Sequence, residues 1–195
     1  MKLIARLLAG LAVIIALFVA SEREAHALGP IDLEAGLKVG FATNPNSDAN
    51  FNPFGFGLGA RAGIQIFSLY LGGNAMHYFG GSTTAAGLDV SESMNELGGE
   101  VGYTIGFIPL LQIRPQIGFG DAILSAEVAN VSQSKGYFYL EPGLTVLVPL
   151  GLLYVGADAN ALLLPSVDSG TDATGKTTTK TYTSFTLHAQ VGIRL

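Results

Sequence analysis

The chain has 195 residues, 49% hydrophobic and 13% charged, with 26 glycines, no cysteine, no tryptophan and a net charge of −5. So little charge, with no basic excess, excludes a disordered chain and argues against nucleic-acid binding. The lack of cysteine excludes disulfides, thiolate chemistry and an acylated lipoprotein cysteine.

Residues 1–27 have the three parts of an export signal. Lys2 and Arg6 precede the uncharged apolar run Leu7–Ala20, and a polar stretch ends at Ala25-His26-Ala27. The run is 14 residues long, whereas a spanning helix needs about 20. Cleavage after Ala27 is therefore expected, with a mature domain over 28–195. The mature chain then keeps seven cations and thirteen anions, a net −6, which disfavours nucleic acid and anionic lipid surfaces as partners.

Beyond Ala27 the apolar period is two, not 3.6. Ile31 to Phe41 sets Ile31, Leu33, Ala35, Leu37, Val39 and Phe41 against Asp32, Glu34, Gly36, Lys38 and Gly40, a strand with two unlike faces. Seven more segments repeat it: Phe56–Ile66, Leu69–His77, Leu97–Phe107, Leu111–Phe119, Phe138–Val148, Leu153–Leu163 and Phe185–Leu195. None of the positions on the apolar parity is Asp, Glu, Lys or Arg, and His77 is the only ionisable side chain among them. Long polar stretches (Asn44–Phe54, Gly80–Asn95, Asp121–Lys135, Pro165–Thr181) take turns with tight connections near Ser68, Pro109 and Gly151. About ten residues per strand, with long connections at one end and short ones at the other, describe an all-β, eight-stranded antiparallel up-and-down transmembrane barrel.

A soluble barrel with its apolar face inward would show the same alternation, so the second face decides. Instead of a solvated Lys/Glu/Thr surface it carries many glycines and a few polar residues of both signs: Glu34, Lys38, Arg61, Gln65, Glu96, Glu100, Gln112, Arg114, Gln116, Glu141, Asp158, Asn160, His188, Gln190 and Arg194. Eight strands enclose only enough room for side chains, and charges confined there must pair. The expected site is a polar network in the lumen built on Glu34, Lys38, Arg61, Glu96, Glu100, Arg114, Glu141, Asp158, His188 and Arg194. Within it Glu100 and Arg114 lie on the inward parity of consecutive strands and are expected to pair. Phe54, Phe56, Tyr78, Phe79, Phe119, Tyr137, Phe138, Tyr182 and Phe185 are read as one aromatic girdle, and Phe67, Tyr70, Phe107 and Tyr154 as the other. The mid-strand prolines Pro115 and Pro142 are read as bulges.

Over residues 28–195 this pattern resembles the small bacterial outer-membrane barrels of the OmpA and OmpX type. The resemblance implies an outer-membrane location, with membrane lipid and the barrel assembly machinery as partners. The closing strand departs from that family by ending Val191-Gly192-Ile193-Arg194-Leu195, without a terminal aromatic residue. An enzymatic relative would resemble the lipid A deacylases, which carry His with Ser two residues later. Here His77 is followed by Tyr78-Phe79 and His188 by Ala189-Gln190. Asp168 and Asp172 lack the further ligands of a calcium loop, and no glycine motif opens a helix to hold a phosphate. The expectation is a non-enzymatic surface protein without cofactor, metal or nucleic-acid partner, whose four outer connections face the environment and its ligands. The alternatives are a narrow channel and a soluble barrel carrying an apolar ligand.

Overall fold

The computed structural model describes residues 31–43, 52–85, 88–108, 110–128, 131–171 and 177–195. The expected export segment, its cleavage site and the tips of the four long connections lie outside them. Nine strands are formed: β1 (Ile31–Ala42), β2 (Phe56–Ile66), β3 (Leu69–Ala85), β4 (Leu88–Tyr103), β5 (Ile105–Ile108), β6 (Leu111–Val128), β7 (Val131–Leu150), β8 (Leu153–Thr171) and β9 (Thr177–Arg194). All pairings are antiparallel, β6 pairs with both β4 and β5, and β1 pairs with β9 as well as β2. The result is a closed ring of eight staves, in which β5 continues β4 after an interruption at Thr104.

Burial is inverted relative to a water-soluble protein. Leu37 and Leu97 are each 66% exposed, whereas Arg114 is fully buried and Glu34, Lys38, Arg61 and Glu100 nearly so. Buried charges and an unbroken exposed apolar face are the informative departures from ordinary burial. They turn the apolar parity outward and remove the soluble, inward-apolar alternative.

Three of the stretches read as polar connections are strand. The β3–β4, β6–β7 and β8–β9 hairpins run up to Ala85–Leu88, Val128–Val131 and Thr171–Thr177, and β4 pairs with β6 as far as Val90–Val128. The membrane-segment pattern does not continue there because the outward face meets water and carries residues such as Asn95, Asp121 and Ser125, while the inward face turns apolar, so the sense of the alternation is lost. On the inward side the alternation persists as an apolar cluster that includes Phe54, Met76, Met94, Leu124, Leu162 and Leu164. This cluster closes the outer end of the lumen.

Neither proline marks a bulge. Pro115 pairs with Leu144 of β7 and faces the interruption between the Gly102–Gln116 and Ile105–Ile113 pairs on its other side. Pro142 pairs with Ile117, and opposite β8 it lies where the ladder is open between Leu140–Leu163 and Gly143–Asn160. The register is the same on either side of both gaps. A missing N–H opens a ladder locally without requiring an inserted residue.

Candidate functional site

Inward parity, tight turns and the stagger of closure bring the polar residues together in tiers. Nearest the tight turns, Arg114 of β6 donates from Nη1 and Nη2 to the two oxygens of Glu34 of β1 at 2.9 and 2.7 Å. It also donates from Nε to Thr104 Oγ1 at 2.9 Å and from Nη2 to Gln65 Oε1 at 2.9 Å. Arg194 pairs with the same Glu34 carboxylate and donates to Gln112 Oε1 at 2.8 Å. Such two-pronged geometry offsets much of the desolvation that burial imposes on both ions. The expected Glu100–Arg114 pair is not formed. Barrel stagger carries Arg114 across the lumen to β1, and Glu100 meets Arg61 Nη2 at 3.0 Å and Lys38 Nζ at 4.0 Å instead.

The middle tier joins these groups. Arg61 donates to the Tyr70 hydroxyl at 3.3 Å and to Gln190 Oε1 at 3.3 Å. The guanidinium carbons of Arg61 and Arg114 lie 4.6 and 4.1 Å from the centre of the Tyr70 ring. Lys38 reaches Asp158 Oδ2 at 3.4 Å.

Above it, His188 links Asp158 and Tyr78, with Nδ1 2.6 Å from Asp158 Oδ1 and Nε2 2.8 Å from the Tyr78 hydroxyl. Asn160 Nδ2 donates to Asp158 Oδ1 at 2.8 Å and Glu141 Oε1 at 3.2 Å, and Thr186 donates to Glu141 Oε1 at 2.8 Å. Glu96 stands apart: both its oxygens are buried and no hydrogen-bond donor among the described residues reaches them.

The Tyr78–His188–Asp158 chain has the connectivity of a nucleophile, base and orienting acid. Tyr78 is fully buried and is itself part of the apolar cluster, and in this arrangement the three side chains satisfy one another's buried polar atoms.

Four tyrosines (Tyr70, Tyr78, Tyr139, Tyr154) lie in the lumen, and Tyr70, Tyr78 and Tyr154 are therefore not the girdle residues expected of them. Each falls on the inward parity of its own strand, and that was the available signal. Glycines make room for them. A Cβ on Gly63 would come within 2.6 Å of the Tyr70 ring, one on Gly57 within 2.7 Å of Tyr78, and one on Gly192 within 2.5 Å of Tyr154. Substituents on Gly36 and Gly98 would overlap the Tyr154 and Tyr139 hydroxyls.

The outward aromatics form a phenylalanine band at the long-connection end. Phe41, Phe56 and Phe79 stand side by side in register, and Phe119, Phe138 and Phe185 extend the band, all at least 42% exposed. Phe54, by contrast, is buried in the apolar cluster. At the tight-turn end Phe67 and Tyr103 project outward. The side chain of Phe107 lies outside the described residues, as do those of Asp168 and Asp172. His77 sits on the outward face, its Nδ1 2.8 Å from Asn95 Oδ1.

Neisserial surface protein A is 13% identical with a TM-score of 0.62, aligning over 85% of this chain and 97% of its own. A major outer membrane protein from Thermus thermophilus is 11% identical with a TM-score of 0.59 over 85% and 99%. Ail, the attachment invasion locus protein of Yersinia pestis, is 14% identical with a TM-score of 0.50 over 85% and 97%. The chain has the fold of the small outer-membrane barrels. No family model and no curated protein sequence matches it. The likeness to these barrels spans nearly their whole length, so the ring of eight staves accounts for each of them almost completely.

Proposed function

We propose that this chain is an integral outer-membrane surface protein, a non-enzymatic barrel that anchors a rim of β-hairpins outside the cell. The observation that carries this reading is the pairing of an uncharged outward belt, bounded by the phenylalanine band, with a lumen filled by interlocked side chains. Such a lumen leaves no wide aqueous path, which favours the anchoring role over the narrow channel. Insertion into the membrane calls on the barrel assembly machinery, and Val191–Leu195 is the segment it would read.

The rim is the part free to meet partners. Residues 44–54, 80–95, 121–135 and 165–181 carry Asp48, Asp89, Asp121, Glu127, Asp168 and Asp172 against Lys135, Lys176 and Lys180, besides Glu92, which is buried. This acidic balance favours cationic or neutral partners and disfavours polyanions. Ail has been solved in complex with the heparin analogue sucrose octasulfate; the present rim has a bias against such a polyanion. The test is to express the full chain in a Gram-negative host and fractionate the membranes. The expected result is an outer-membrane band whose gel mobility changes on heating, whose rim is cut by external protease, and which conducts no steady current in planar bilayers. Recovery in the soluble fraction would overturn the reading, and regular single-channel steps would restore the channel.

A further inference from the structure

The outward face carries a groove among its apolar side chains. Where Pro142 opens the β7–β8 ladder, a groove of about 500 Å³ runs along β8. Its floor is small, Ala159 and Ala161, and its walls are Pro142 on one side and Phe185 and Leu187 on the other, with Phe41 beyond them. Ala161 is paired with Phe185 and Ala159 with Leu187, so two methyl groups are flanked by larger side chains along the same stretch. Asn160 and Thr186 lie behind this floor, and Asn160 Oδ1 is buried without a hydrogen-bond partner among the described residues.

We propose that this groove binds one acyl chain of a bilayer lipid. The inference rests on the outer-membrane reading, and the occupant follows from position. The groove is continuous with the lipid-facing belt and lies at the level of Phe41 and Phe185, members of the band that marks the outer interface. A groove lined by alanine, phenylalanine, leucine and proline gives water few partners. A flexible chain laid along Ala159 and Ala161 fills the trough between Pro142 and the Phe185 and Leu187 side chains. Headgroup chemistry does not enter, because the lining carries no charged side chain.

The absence of tryptophan allows a single-reporter test. Phe185→Trp places the reporter on the groove wall, and Phe79→Trp places it in the same band on β3, away from the groove. Each protein is folded in detergent micelles and titrated with dibrominated phosphatidylcholine, a contact quencher carried on the acyl chain. The expected result is saturable, stoichiometric quenching at position 185 and quenching merely proportional to lipid content at position 79. The saturable component is lost when Ala161→Phe fills the trough. Ala159→Leu serves the same purpose if that variant fails to fold, with heat-dependent gel mobility as the check.

Proportional quenching at both positions would overturn the groove while leaving the barrel reading intact. A reporter at 185 shielded from both lipid and iodide, with 79 quenched by lipid, would mean that a protein surface fills the trough, and would also overturn the proposal. Iodide quenching at both positions with no lipid quenching would overturn the outer-membrane reading itself.

Discussion

Arg114 and Glu34 are the two residues on which the lumen depends most. Arg114 is fully buried and makes four hydrogen bonds, two of them to Glu34. Arg114→Met leaves a buried carboxylate facing Arg194 alone and should cost about 3–5 kcal/mol in urea unfolding from lipid vesicles. Adding Glu34→Gln should recover part of that loss, whereas adding Glu100→Gln should give a simple sum, because Glu100 belongs to Arg61 and Lys38. Strong coupling between Arg114 and Glu100 with none to Glu34 would contradict the observed pairing. Glu96 predicts the opposite sign: with no donor at either oxygen among the described residues, Glu96→Gln should leave stability unchanged or raise it by about 1–3 kcal/mol in the same unfolding. These partnerships were not legible in the sequence. Parity tells which side chains face inward, but Glu34 and Arg114 are 80 residues apart, and only the stagger of the closed ring decides which inward groups meet.

The staves themselves were legible, because lipid on one side and a crowded lumen on the other write a period of two into every one of them. Ala60 pairs with Leu37 and Ala75, and Ala157 with Val146 and Ala189, all apolar and all in the outward series. Ala60→Arg or Ala157→Arg should therefore cost about 2–4 kcal/mol, measured by urea unfolding from vesicles. Glycine adds a second constraint on the elements. Gly36→Ala or Gly192→Ala, each pressed against Tyr154 from a different strand, should destabilise by about 1–3 kcal/mol through overpacking. A Tyr154→Leu background should relieve most of the cost at Gly36 and little of it at Gly192, where the added Cβ also meets the Ala35 carbonyl oxygen at 2.3 Å. The outer halves of β3, β4, β6, β7, β8 and β9 were not legible, since beyond the phenylalanine band the outward face meets water and turns polar, and the membrane-facing pattern breaks off. Amide exchange should nevertheless be slow at Ser91–Ser93 and Ala122–Ser125, where ladder partners lie on both sides or the apolar cluster lies beneath.

At the scale of the whole molecule, the sequence distributes charge and hydrophobicity inside out. Lumen carboxylates, guanidiniums and one lysine interlock along the barrel axis, the apolar cluster closes the outer end, and the outward belt is uncharged between the phenylalanine band and the tight turns. Only a hydrocarbon solvent makes that arrangement favourable. The central claim is therefore the direction in which the apolar parity faces and what it faces. Nitroxide labels at Ala60 and Ala157 in reconstituted vesicles, compared with a label at Ser132 on the exposed outer part of β7, measure this most directly. The account predicts high collision rates with oxygen and low rates with an aqueous nickel chelate at the first two positions, and the reverse at Ser132. Labels at Ala60 and Ala157 that are reached by the nickel chelate, or shielded from both reagents, would contradict it.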